Sequence, residues 1–167
     1  YTRLFERSPM SEKSFAPLRA LYEEDENWER IAELEQVRGE RAGTALVRQQ
    51  RLSEAAYTVE ERLNRPGRAL ELLLRAFAEQ PDDDAFAPGV ERLAKVVGDW
   101  TAPIAAWQAA AGEGEQGLPF HRRVVTWMAG VDGSEHDPRI HYEAILAIRP
   151  TDRGALIALV ALAEDEP

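Results

Sequence analysis

Cysteine is absent from the 167 residues. That single absence removes disulfides, thiolate-ligated zinc and cysteine nucleophiles together, and it leaves the redox compartment open, with a lean toward the cytoplasm. Histidine is scarce: only His121, His136 and His141 occur. A helical zinc site wants histidines at i and i+4. His136 and His141 are five apart around Pro138, and His121 stands beside Arg122 and Arg123, so surface or packing roles are expected and no metal. No apolar run approaches the ~18 residues that a membrane-spanning helix requires. None of Ser8, Ser11, Ser14, Ser53 or Ser134 lies in a Gly-x-Ser-x-Gly elbow. Residues 112–117 are glycine-rich but lack a Lys-Ser/Thr ending and a preceding strand, so they read as a flexible hairpin loop and not a phosphate cradle. The acidic runs at 23–26, 82–84 and 164–166 lack the alternating oxygens and glycine turn of a calcium loop; they suit helix ends. These absences together argue against an enzyme and against a cofactor.

Acidic residues, by contrast, are abundant. There are 30 Asp+Glu against 20 Lys+Arg, a net charge of −10, which disfavours nucleic acid as a partner. The 44% hydrophobic content supports a folded core despite that charge. Ala, Leu, Glu and Arg dominate, and no alternating strand of five or more residues stands out. Apolar residues recur three and four apart, as in Phe15, Leu18, Leu21 and Tyr22, or Leu52, Ala55, Ala56, Val59 and Leu63. The spacing predicts helices near 1–7, 14–24, 28–41, 45–63, 67–80, 85–97, 100–111, 118–131, 138–149 and 153–163. Asp99 and Asp137 are placed to cap the helices opening at Trp100 and Pro138.

An internal repeat organises these helices. Pro9 and Pro81 stand 72 residues apart, and Pro81 and Pro150 stand 69 apart. Phe5, Phe77 and Leu146 each precede one of these prolines by four residues, and Tyr1, Leu73 and Tyr142 precede them by eight. Trp28 and Trp100 follow Pro9 and Pro81 by nineteen residues, and Phe15-Ala-Pro17 recurs as Phe86-Ala-Pro88. Each period then holds two hairpins of about 35 residues, too short to bury their apolar faces without stacking. The expected fold is all-α, a right-handed α-solenoid of stacked antiparallel hairpins with about nine to ten helices. Trp28 and Trp100 are its expected interlayer wedges. The array spans 1–167 as one domain, with units 10–81 and 82–150 and partial repeats at both ends.

The segment Arg68-Ala-Leu-Glu-Leu-Leu-Leu-Arg-Ala-Phe-Ala-Glu-Gln-Pro81 resembles the second helix of a tetratricopeptide repeat (TPR). Ala69, Leu73, Ala76 and Pro81 fall on the small, bulky, small and terminal-proline positions of that motif. Residues 97–100, Val-Gly-Asp-Trp, look like the turn inside a repeat. Pro66-Gly67 lengthens one turn, and the first-helix signature is weak at 45–63 and 118–131, so half-a-tetratricopeptide arrays and other hairpin solenoids stay open. The resemblance implies a non-catalytic protein-interaction scaffold, a TPR-like module of a larger protein. A self-assembling spacer and an accessory domain of an enzyme are the alternatives. It also implies that the first helix of each hairpin lines a concave groove. There Arg48, Arg51, Arg92, Lys95, Arg122 and Arg123 are candidates to hold a protein segment, an acidic one by charge. The competing expectation is that these cations pair with nearby carboxylates. Both ends read as cut within an array, with Leu159, Val160 and Leu162 offering an apolar surface for end-to-end association.

Overall fold

The structure, a computed structural model, describes residues 1–130 and 137–164. His136, Ser134 and the acidic residues 165–166 lie outside the described residues. Ten helices and no strand occur among the described residues. They are α1 (Thr2–Arg7), α2 (Glu12–Glu24), α3 (Trp28–Arg41), α4 (Ala45–Glu61), α5 (Pro66–Glu79), α6 (Asp83–Val97), α7 (Thr101–Ala110), α8 (Leu118–Ala129), α9 (Arg139–Ile148) and α10 (Arg153–Glu164). The chain divides into two compact units, 1–98 and 99–167.

Proline placement explains where three helices stop. α1, α5 and α9 each end two residues before Pro9, Pro81 and Pro150. The intervening residues Ser8 (φ −145°, ψ 70°), Gln80 (−148°, 93°) and Arg149 (−129°, 86°) share one backbone conformation. A following proline ring clashes with a helical residue before it and pushes that residue out of the α region. α2 and α6 also match. Pro17 and Pro88 are each the sixth residue of their helix, and each removes one i→i−4 hydrogen bond.

Helix starts are equally local. Asn27, Thr44 and Asp82 accept hydrogen bonds from the amides of Arg30, Val47 and Ala85. Asp99 and Asp137 accept from Thr101 and Arg139, two residues on, at 2.8 and 2.9 Å. The helices therefore open one residue later than the spacing suggests, leaving Trp100 and Pro138 as the N-cap residues. Gly98 ends α6 with φ +77°, a left-handed conformation that glycine adopts without a Cβ clash.

In unit 1 each helix from α1 to α6 packs on its neighbour in sequence. Phe5, Phe15, Leu18 and Leu34 form one buried cluster. The Phe5 and Phe15 rings lie 6.4 Å apart across Pro9, and Phe77 and Phe86 lie 5.8 Å apart across Pro81, so the repeat carries an aromatic pair with it. The motif alanines Ala69 and Ala76 are buried on α5, and Ala55 and Val59 are buried on α4, which suits close approach of these two packed helices. Ion pairs also join helices two apart in sequence. Arg65 and Arg68 of the α5 start reach Glu29 of α3, and Arg92 of α6 reaches Glu60 of α4.

In unit 2, α7 to α10 pack in sequence order. Trp127 contacts Trp107 at 4.8 Å and Trp100 at 5.6 Å between ring centroids, beside a cluster of Leu118, Val125, Ile145 and Ala155. The 112–117 loop is a tight turn. Gly114 has φ +78°, the Gly117 amide donates to the Gly114 carbonyl at 2.9 Å, and a Cβ on Gly117 would overlap the Gly112 carbonyl oxygen. Trp28 and Trp100 are both half-buried at helix starts, not the fully buried wedges expected. Their surroundings differ: the Arg62 guanidinium lies 4.5 Å over the Trp28 ring, whereas Trp100 meets Trp127.

Candidate functional site

Four of the cations expected in a groove come with carboxylates of their own. Arg48 donates to Glu79 at 2.6 Å and to the Ala42 carbonyl at 3.2 Å. Arg51 pairs with Glu54 at 3.0 Å and meets Glu35 at 3.5 Å. Arg92 forks onto both oxygens of Glu60. In unit 2, Arg122 pairs with Asp152 at 2.6 Å. Lys95 is exposed on α6, and Arg123 is half-buried on α8. An acidic ligand at the four paired arginines must displace an intramolecular acid.

Two of the histidines lie among the described residues. His121 of α8 and His141 of α9 come together, with Nδ1 to Nδ1 at 2.9 Å, and Gln108 Nε2 lies 3.1 Å from His141 Nε2. With the Gln108 amide donating, neutral His141 holds its proton on Nδ1 and donates it to His121. Burial holds the His121 pKa below its ordinary value, against an opposing backbone hydrogen bond at Gly112. Among the described residues no group of three or more His, Asp or Glu is placed to hold a metal. No helix among them is long and apolar enough to cross a membrane.

Ser14 and Asp82 have structural work. Ser14 is buried and its hydroxyl lies 3.0 Å from the Ser8 carbonyl and 2.9 Å from that of Ser11, tying down the α1–α2 turn. Asp82 caps α6, and residues 23–26 are exposed at the end of α2.

The most unusual chemistry in unit 1 lies on α3. Ile31, Leu34, Glu35 and Arg38 share one helix face and all four are buried, so two charges sit in an apolar stripe. Glu35 is only 1% exposed and Arg38 only 3%. Arg38 stacks on the Phe15 ring at 3.8 Å and donates to Glu12 at 2.5 Å. The Glu35 Oε2 faces Arg51 at 3.5 Å. Its Oε1 lies 3.7 Å from Arg19, beyond hydrogen-bonding distance, and has no donor in the protein. Burial raises the Glu35 pKa to about 7, and the neighbouring Glu54 carboxyl adds to the rise; Arg51 and Arg38 oppose it.

Glu35 opens onto a cleft of about 390 Å³ between α2, α3 and α4. Arg19, Ile31, Ser53, Glu54 and Tyr57 also line it, and Arg19 is held by Glu23 at 2.9 Å. The sequence signal for this site was the face shared by Ile31, Leu34, Glu35 and Arg38. The signal for the histidine pair was absent, because no local rule joins residues 121 and 141 on two different helices.

Comparison with known proteins adds no relative: no family model, no curated protein and no solved structure matches the chain.

Proposed function

We propose that this chain is a non-catalytic protein-interaction scaffold whose hairpins stack as an α-solenoid of the TPR-like kind. The observation that carries the reading is the recurrence of the stop at Pro9, Pro81 and Pro150 with a matching pre-proline backbone. Ion pairs between α3 and α5 and between α4 and α6 support parallel stacking of alternate helices within unit 1. Repetition of one packing solution yields an extended wall of side chains, which suits recognition of a polypeptide. On α2, α4 and α6 that wall has exposed apolar residues beside charge: Leu21, Tyr57 (66% exposed) and Val96. Aromatic and apolar groups of this kind contribute most of the energy in protein interfaces.

A peptide array spanning basic, neutral and acidic segments tests the reading. The expected result is a saturable ligand whose affinity falls at least tenfold in a Tyr57→Ser/Val96→Ser variant with an unchanged thermal midpoint. Retained affinity in that variant moves the interface off this wall. An array without any saturable ligand overturns the scaffold reading.

A second reading, self-association, is favoured by one observation. α10 exposes Leu156, Ile157 (70%) and Val160 along one side, while Leu159 and Leu162 are half-buried. Light scattering across concentration tests it: mass rising with concentration, and falling back in an Ile157→Lys/Val160→Lys variant, supports assembly through α10.

A further inference from the structure

We propose that the cleft between α2, α3 and α4 binds an alkylammonium group, the end of a lysine side chain on a partner polypeptide, with its cation between Glu35 and Glu54. Four carboxylates meet in this corner, Glu12 and Glu23 from α2, Glu35 from α3 and Glu54 from α4. Three guanidinium groups face them: Arg19 from α2, Arg38 from α3 and Arg51 from α4. The cluster is one cation short. Each arginine has a carboxylate partner, Arg38 with Glu12, Arg19 with Glu23 and Arg51 with Glu54, while Arg38 Nε and Nη1 and Arg51 Nε keep no acceptor. Glu35 is left with an ion contact at 3.5 Å and an oxygen that no donor reaches. A buried acceptor without a donor is costly, and a ligand that supplies the donor recovers that cost as affinity.

The shape of the cleft selects among cations. An ammonium has three donors, and Glu35, Glu54 and the Ser53 hydroxyl present acceptors on adjoining walls. Ile31 and Tyr57 supply the apolar surface along which a four-carbon stem can lie. At about 390 Å³ the cleft admits such a side chain together with its backbone. An anion is disfavoured, because the one cation on the walls, Arg19, is already engaged by Glu23. The Glu35 pKa near 7 is a consistent sign of missing positive charge. Binding of the small cation stands apart from the scaffold reading; its extension to a lysine of a partner rests on it.

The test uses n-butylammonium as probe on the whole chain, followed by calorimetry and by NMR shifts of the α3 and α4 amides. Saturable binding is expected, with n-butyrate giving none. The affinity should rise about tenfold from pH 6 to pH 8, as Glu35 goes from largely protonated to largely ionised. Glu35→Gln should lose at least tenfold in affinity together with the pH dependence. Glu54→Gln, at a partly exposed position that keeps Glu35, should lose several-fold. The proposal is overturned if butylammonium does not saturate, or if both variants bind as the unaltered chain does. A second arm compares a peptide carrying one lysine with the same peptide carrying norleucine and with free spermidine. Butylammonium binding without discrimination by the peptides keeps the pocket and overturns the partner lysine, while the scaffold reading stands or falls by the peptide array. Tighter binding of spermidine than of the lysine peptide assigns the pocket to a free polyamine and overturns the partner assignment.

Discussion

The two units start and stop their helices by the same rules but fill their interiors differently. Unit 1 runs α2, α3 and α4 around a charged corner in which Glu35 and Arg38 are buried beside Phe15. Unit 2 buries Trp107 and Trp127 and brings Gln108 of α7, His141 of α9 and His121 of α8 together. Apolar filling returns free energy in proportion to area, whereas a buried charge returns little unless every partner is present. The Glu35 oxygen without a donor shows the cost that unit 1 carries; among the described residues, no such atom occurs in unit 2. Local helix signals and interior chemistry are therefore separate layers of the sequence, and the repeat is written mainly in the first.

The largest expected effect tests the apolar side of this contrast. Trp107 is fully buried against Trp127. Trp107→Ala should lower stability by about 3–5 kcal/mol in urea denaturation. A loss below about 1 kcal/mol would show that the tryptophan cluster does not hold unit 2 together. Next comes the charged corner. Glu35→Gln keeps the shape and removes the ionised form that burial disfavours, so at pH 8 it should raise stability by about 1–3 kcal/mol. At pH 5 the gain should shrink, because Glu35 is then protonated in the fold as well. A variant less stable at pH 8 would mean that the Arg51 contact outweighs desolvation.

Legibility in the sequence follows the range of the interaction. The ends of α1, α5 and α9 were readable because a proline acts on the residue before it. The caps at Asp99 and Asp137 were readable because they reach only two residues. The count of helices and their bounds followed from such signals within about two residues at most ends. The burial of Trp28 and Trp100 was not, since one indole is covered by Arg62 from the end of α4 and the other by Trp127 from α8. Glu35 was half-visible: its position on the apolar face of α3 was in the sequence, but its neighbours Arg19, Arg51 and Glu54 arrive from two other helices.

A smaller effect tests how far the two tryptophans remain equivalent. Both are half-buried, so Trp28→Ala and Trp100→Ala should each cost about 1–2 kcal/mol, less than a fully buried ring. Exchange to Phe separates them. Trp28→Phe should weaken the cation contact with Arg62 and little else, whereas Trp100→Phe also loosens the packing on Trp127. Equal losses in calorimetric midpoint for the two Phe variants would restore the equivalence that their spacing suggests.

The finest test is a difference of sign with pH. The Glu35 pKa lies above its ordinary 4.5, so the fold binds a proton that the unfolded chain releases between about pH 4.5 and 7. Stability of the α3 region therefore falls as pH rises through that window. His121 behaves oppositely. Its pKa is held below the ordinary 6.5, so the unfolded chain takes up a proton before the fold does, and stability around α8 and α9 falls as pH drops below 6.5. The acids whose pKa values are lowered do not interfere: Glu29 by Arg68, Glu115 by Arg149, and Asp152 by the Ala155 amide and Arg122 are ionised throughout this range. Hydrogen exchange at pH 5.5, 6.5 and 7.5, converted to protection factors, should show α3 amides losing protection with rising pH while those of α8 and α9 gain it. Glu35→Gln should flatten the first trend and leave the second, and His121→Gln should do the reverse. Parallel trends in both regions would mean that the charged corner and the histidine relay do not set the local response, and the contrast between the two interiors would reduce to one of packing alone.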